Sequence, residues 1–285
     1  MVSQGRRRVV VDSQIHIWGA DTPERPWPGI SWNGKRAEPQ RETPLGAEEV
    51  LSAMDQAGVA RAILVPPSWE GDRNDLALAA AARWPDRFAV MGRFADHAPV
   101  DALRAWRDQP GMLGVRLIFG PGSTWVTEGA DHAFWRVAAE AGVPVMVAPV
   151  ENNGLVGRIA DQYPEVRIAL DHMGTGIVAP GADEFALEDE ILALASRPNI
   201  AVKLSAVPCH SDRPGRPWDD VTPHIKRLFD AFGPDRCFWG SDLSRLPCPY
   251  GDLVRFFEED LPWMTEKELD RVMGAAILDW LDWHP

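Results

Sequence analysis

Cysteine is scarce: Cys209, Cys237 and Cys248 are the three in 285 residues. An odd, sparse set at no metal-binding spacing excludes a disulfide framework and a cysteine-held zinc. Cys237 sits in an apolar run and reads as a small buried hydrophobe. Cys209 and Cys248 follow strand ends, but neither has beside it the motif that activates a nucleophilic thiolate. Basic residues are also short, 29 Lys and Arg against 42 Asp and Glu for a net charge of −13. That balance offers no electrostatic footprint for nucleic acid and none for an anionic membrane surface. No apolar stretch approaches the ~18 residues of a membrane span. The run after Arg6–Arg8 meets Asp12 too soon for a signal peptide. These absences predict a cytoplasmic protein. No glycine-rich phosphate loop follows the first strand, which disfavours an open dinucleotide-binding sheet. Tyrosine is rare, two against 13 tryptophans, so part of any pocket wall is expected to be indole.

What is present suits a large core: 45% of residues are hydrophobic and 25% charged. Although ~150 residues per domain would suggest two domains, α/β barrels run to about 250 residues as one. One domain over 1–285 is therefore expected. After the opening apolar run, Val9–Trp18, a long loop from Gly19 to Gly46 carries five prolines with Trp27 and Trp32. Proline blocks helix and sheet alike, and a loop this long in a compact domain is usually functional. It reads as a flap over the barrel mouth, its tryptophans either walling a pocket or packing the loop onto the body.

The chain then alternates. Strands are predicted at 62–65, 88–94, 112–119, 144–148, 166–170, 200–204 and 237–239. Helices are predicted at 47–57, 74–84, 99–107, 131–141, 154–162, 184–195 and 222–232, with more in the tail after 251. Eight strands, nearly all followed by a helix, spell an α/β fold of the (β/α)8 TIM barrel kind.

Three strands end in polar groups. VVVDSQIHIW places Asp12, Gln14 and His16 at alternate positions, hence on one face of a strand. RIALDHMG ends in Asp171 and His172, and RCFWGSD in Ser241 and Asp242. A closed barrel brings its eighth strand beside its first, so these ends share one rim. Arg116 and Lys203 are charges inside apolar strands, which is costly unless each meets an anion. That anion is either a substrate carboxylate or a structural partner such as Asp171 or Asp12. Trp18 closes the first strand, and His210 follows the seventh on the same rim. His97, His132, His224 and His284 are expected at the surface.

With VVVDSQIHIW, GVRLIF, LDHMG, VKLSA and WGSD in this order, the chain resembles the amidohydrolase superfamily. The likeness is to its amidohydrolase 2 branch, which includes 2-pyrone-4,6-dicarboxylate lactonase-like proteins and metal-dependent decarboxylases. The resemblance implies a (β/α)8 barrel with its site at the strand C-termini. In the metal-bearing pattern His16, His172 and Asp242 match ligands, but Gln14 stands where a first His belongs and the fifth strand offers Ala148. A neutral amide is a poor zinc ligand. The expectation is a metal-independent hydrolase that opens a lactone or similar cyclic ester of a small carboxylated substrate. Asp242 is its general base and His16 and His172 polarise the carbonyl. Gln14, Arg116, Lys203, Trp18 and His210 contact the substrate. The alternatives are a decarboxylase using zinc or manganese and a barrel that only binds a small acid. Self-association into a homo-oligomer is left open.

Overall fold

The eight predicted strands form one parallel sheet in sequential order. They are β1 (Val11–Ile15), β2 (Arg61–Leu64), β3 (Phe88–Arg93), β4 (Met112–Ile118), β5 (Val145–Ala148), β6 (Ile168–Leu170), β7 (Ile200–Ser205) and β8 (Cys237–Gly240). The computed structural model describes residues 8–28, 31–32, 35–175 and 185–284. The strands read as continuous apolar runs because both of their faces are covered. Inward side chains, among them Val11, Ile63, Met91, Met146, Ala201 and Phe238, fill the lower barrel, and Ile277, Leu281 and Trp283 of the tail pack against them. Outward side chains pack on the helices between strands. The result is a (β/α)8 barrel whose one rim is left for chemistry.

Helices lie at Ala47–Ala57, Asp75–Arg83, Ala133–Ala141, Asn153–Gln162, Glu188–Leu194, Thr222–Phe232 and Tyr250–Glu259. Residue 184, the expected start of the sixth, lies outside the described residues. The segment expected to be helical at 99–107 is instead a 3-10 helix, Val100–Asp108. Its core contacts fall on Leu103 and Trp106, three residues apart, and a three-residue turn stacks such positions in a single line.

Between β1 and β8 the barrel closes on side chains as well as backbone. The Asp242 amide donates to the Gln14 carbonyl at 2.9 Å. The Ser241 and Gln14 amides both donate to Asp12 Oδ1 at 2.9 Å, and the Tyr250 hydroxyl donates to Oδ2 at 2.6 Å. At Gly240 a Cβ would stand 2.5 Å from Ser13 Oγ, so only glycine lets the two strands approach. Asp12 is therefore a brace of this seam and does not join Gln14 and His16 as strict alternation predicts. The register shift in β1 between Asp12 and Ile15 breaks the alternation.

The described parts of the loop after β1 are tied down at both ends. Arg25 pairs with buried Glu70 at 3.0 Å and with Asp75 at 2.5 Å, and Gly19 N–H donates to Glu70 at 3.1 Å. Ser244, just past β8, donates to Gln40 at 3.0 Å, which holds the far end of the loop against that strand's exit. Trp27 donates its indole N–H to the Gly19 carbonyl at 3.2 Å and packs on the core, so it fixes the loop to the body. The Trp32 side chain lies outside the described residues. No helix among the described residues is long and apolar enough to cross a membrane.

Candidate active site

Asp242 follows β8 with φ at +54° and is wholly buried. Aspartate tolerates this left-handed conformation better than most residues, and here it turns the carboxylate into the barrel mouth. Oδ1 lies 3.3 Å from His16 Nε2, and Oδ2 lies 3.8 Å from His172 Nε2 and 3.0 Å from Arg245 Nε. The Arg245 contact is an ion pair but is not aligned as a hydrogen bond, and both carboxylate oxygens lack a donor among the described residues. Burial opposes the charge on Asp242, yet its pKa is held below the ordinary carboxylate value, and the cations that face it are Arg245 and Lys203. The anion stands ready, with its lone pairs unspent.

His16 Nδ1 lies 2.5 Å from the Val65 carbonyl oxygen, which can only accept. The ring proton therefore sits on Nδ1, and Nε2 presents a lone pair toward Asp242. Burial lowers the His16 pKa despite the nearby Asp242 charge, so the ring is neutral. This corrects the expected role for His16: a neutral ring in this tautomer accepts protons and cannot donate to a carbonyl. Trp69 meets its edge at a centroid distance of 6.1 Å.

Gln14 is fixed by Lys203, whose ammonium donates to Oε1. The other end of the amide is thereby turned toward His16, with Nε2 3.4 Å from His16 Nε2. Lys203 also donates to Asp171 Oδ1 at 2.9 Å, and Arg116 Nε donates to Oδ2 at 3.0 Å. The two strand charges thus share one structural carboxylate. These cations hold Asp171 well below the usual range against the opposing effect of burial, and burial pushes Lys203 down. Lys203 is wholly buried and spent on internal partners, so its expected contact with substrate gives way to support of Gln14. Arg116 keeps both terminal nitrogens without a partner among the described residues.

His172 also has a left-handed backbone, φ +49°, a strained conformation for a non-glycine residue. Its amide donates to Ser205 Oγ at 3.2 Å and its Nδ1 lies 3.1 Å from the same oxygen. Burial pushes its pKa down to about 3, so this ring is neutral as well.

Other candidates fall away from this group. Trp18 is buried edge-on against Trp69, one layer behind His16, and lines a groove of about 300 Å³ with Leu45, Leu76 and Trp84. His210 is buried in the turn after β7, its ring 6.2 Å from Phe185. His132 is not at the surface as expected: it is buried and caps the helix at Ala133, accepting from Phe134 N–H at 3.1 Å. His224 is largely covered, stacked on Phe185 at 3.5 Å. His97 and His284 are exposed. Burial raises the Cys248 thiol to about 11 and Cys237 higher still, which disarms both as nucleophiles. Sequence reading missed Arg245, Ser205 and Arg93, the last a charge in an apolar strand like Arg116.

The donor set does not fit a divalent metal. The Gln14 carbonyl oxygen is taken by Lys203, and Ala148 offers no donor. Among the described residues no group of three or more His, Cys, Asp or Glu is arranged to hold a metal ion. Structural and catalytic zinc sites alike need at least three such donors.

A family model described as amidohydrolase matches residues 11–280, nearly the whole chain. The chain belongs to the amidohydrolase family. This amidohydrolase is 27% identical over 278 residues to the L-fucono-1,5-lactonase of Burkholderia ambifaria, a match that spans 93% of this chain and 89% of the relative. Its fold is shared with a solved amidohydrolase of Burkholderia multivorans with bound zinc: TM-score 0.74, 22% identity, 96% of this chain and 99% of that one. It is shared also with a probable 2-pyrone-4,6-dicarboxylic acid hydrolase of Acinetobacter baumannii with bound citric acid: TM-score 0.73, 18% identity, again 96% and 99%.

Proposed function

We propose that this amidohydrolase opens a lactone or similar cyclic ester of a small carboxylated molecule, with water activated by protein groups alone. One observation carries the reading. The buried Asp242 carboxylate, whose two oxygens have no donor among the described residues, stands 3.3 Å from His16 Nε2, which accepts from the Gln14 amide. A water set against the open Asp242 oxygens donates one proton to the carboxylate and keeps a lone pair free to attack a carbonyl carbon. Asp242 is the general base, with His16 sharing the proton.

His172 has the opposite polarity. Because Ser205 Oγ accepts the His172 amide, its hydroxyl proton is available to Nδ1, which leaves the ring proton on Nε2 facing the site. That N–H stabilises the oxyanion as the tetrahedral intermediate forms. Collapse of the intermediate breaks the ring C–O bond, and the proton held by Asp242 and His16 passes to the departing alkoxide. Arg116 orients a substrate carboxylate with its unspent nitrogens. The lactonase relative supports this reaction class, and the acid hydrolase and citrate named for a structural neighbour agree with an anionic substrate.

The test is turnover of a panel of aldono- and aldarolactones and pyrone carboxylates, followed as acid release at constant pH, with Asp242→Asn as control. Lactone opening that disappears in the variant supports the reading. Carbon dioxide release from an aromatic acid that depends on added manganese or zinc would replace it with decarboxylation.

A further inference from the structure

Arg93 ends β3 with its Cα beside that of Arg116 in β4. Residues in register on neighbouring strands leave the sheet on the same face, where like charges repel. Both side chains are nearly buried, 11% and 8% exposed. Arg93 Nε and Nη1 have no hydrogen-bond partner among the described residues, and its ion-pair partner Asp72 stands 3.7 Å from Nη2, beyond hydrogen-bonding range. Arg116 uses only Nε, on Asp171. Burial and the Arg116 charge pull Arg93 down to about 10, which leaves it protonated at neutral pH. Two buried guanidiniums on one face of the sheet with unpaired N–H groups cost stability unless an anion completes them.

We propose that Arg93 and Arg116 form a two-guanidinium clamp for a carboxylate of the substrate. The inference rests on the lactone-opening reading and adds Arg93 to Arg116 as the second residue that selects for a free carboxylate. Charge selects among anions. Arg93, Arg116 and Lys203 face Asp72 and Asp171, an excess of one positive charge that a carboxylate cancels and a phosphate dianion overshoots. The clamp is also near the reacting groups, since Arg116 and Lys203 share Asp171 and Lys203 holds Gln14, whose amide lies 3.4 Å from His16 Nε2. A small ring can therefore place its carboxylate in the clamp and its ester carbonyl before Asp242.

Two measurements test it. Calorimetry compares malonate with inorganic phosphate as probes on the wild type, Arg93→Gln, Arg93→Lys and Arg116→Met. Malonate is expected to bind the wild type at least about tenfold more tightly than phosphate, and to weaken about tenfold or more in Arg93→Gln and Arg116→Met. Arg93→Lys keeps the charge without the planar fork and falls between; it also serves should Arg93→Gln not fold. Kinetics compare D-glucaro-1,4-lactone with D-glucono-1,4-lactone, which share a ring and differ by one carboxylate. The ratio of their kcat/KM values should favour the former in the wild type and fall about tenfold in Arg93→Gln. Malonate binding that is absent or indifferent to Arg93, tighter phosphate binding, or an unchanged ratio overturns the clamp. Malonate behaving as expected while neither these nor other lactones are opened keeps the clamp and overturns the lactone reading.

Discussion

His16 Nε2 stands 3.3 Å from Asp242 Oδ1, and the other nitrogen of the same ring is spent on the Val65 carbonyl. One residue just past the first strand and one just past the last thus face each other, and the proposed reaction uses the pair to take up a proton. Asp242→Asn removes the anionic half while keeping the shape, so kcat should fall by at least roughly 10²-fold with KM little changed. Steady-state kinetics on an accepted lactone measure this. A near-normal kcat in Asp242→Asn together with an inactive His16→Gln would make the imidazole the base.

The pH profile follows from the same charges. Asp242 is held below its ordinary value and His172 is pushed down to about 3, so neither changes charge between about pH 5 and 9. The kcat should be level over that range and fall only below it, as the carboxylate takes up a proton. A limb near pH 6.5 lost in His16→Gln would show that His16 titrates during turnover.

Arg116→Met removes a guanidinium while keeping the length of the side chain. For a carboxylated lactone, kcat/KM should fall by an amount on the order of 2 kcal/mol or more. Asp171 keeps Lys203 in this variant, so near-ultraviolet circular dichroism should stay native. Normal kinetics from the folded variant would assign Arg116 to structure.

Lys203→Met strands two groups at once, the Gln14 carbonyl and one oxygen of Asp171. Breaking a buried pair from one side costs about 3–5 kcal/mol, and urea unfolding should show a loss of that order. Lys203→Met with Asp171→Asn should recover part of it, because the uncompensated charge is gone.

Two buried aspartates shape the acid stability in opposite directions. Asp171 has a lowered pKa in the fold, so its contribution is full above its unfolded value near 4 and is lost as the pH falls further. Asp12 is raised by burial to about 6, so its contribution is full below about 4 and is lost between about 4 and 6 as the pH rises, a change on the order of 3 kcal/mol. Asp12→Asn should flatten the stability curve between pH 4 and 6, and chemical denaturation at each pH reads the slope.

Purified protein should carry well under one equivalent of zinc or manganese, and a chelator should leave kcat unchanged, because Gln14 and position 148 supply no ligand. Elemental analysis together with chelation and add-back checks this. Stoichiometric metal that restores lost activity would give Asp242 and the histidines a different task.

Much of the barrel was legible because strands covered on both faces are continuous apolar runs, and the polar ends of β1, β6 and β8 interrupt those runs where the site lies. Asp171, His172 and Asp242 are visible in this way. The side to which Asp12 turns was not, since a register shift inside β1 leaves no trace in a five-residue pattern. Nor was the orientation of Gln14, which is set by a lysine 189 positions away. Arg93 carried the same signal as Arg116, a charge in an apolar strand, but at the last position of β3 it passes for a rim residue. Only the register beside Arg116 shows that it is buried.

The seam that closes the barrel also has a consequence in time. Gln14 and His16 are made near the start of the chain and Asp242 near its end, and the Asp242 amide reaches its place by bonding to the Gln14 carbonyl. A chain made only as far as β7 has no Asp242 to place on the rim. If Asp242 is the base, as proposed, hydrolysis waits on completion of the chain: a clipped chain that lacks β8 and Asp242 is expected to open no lactone.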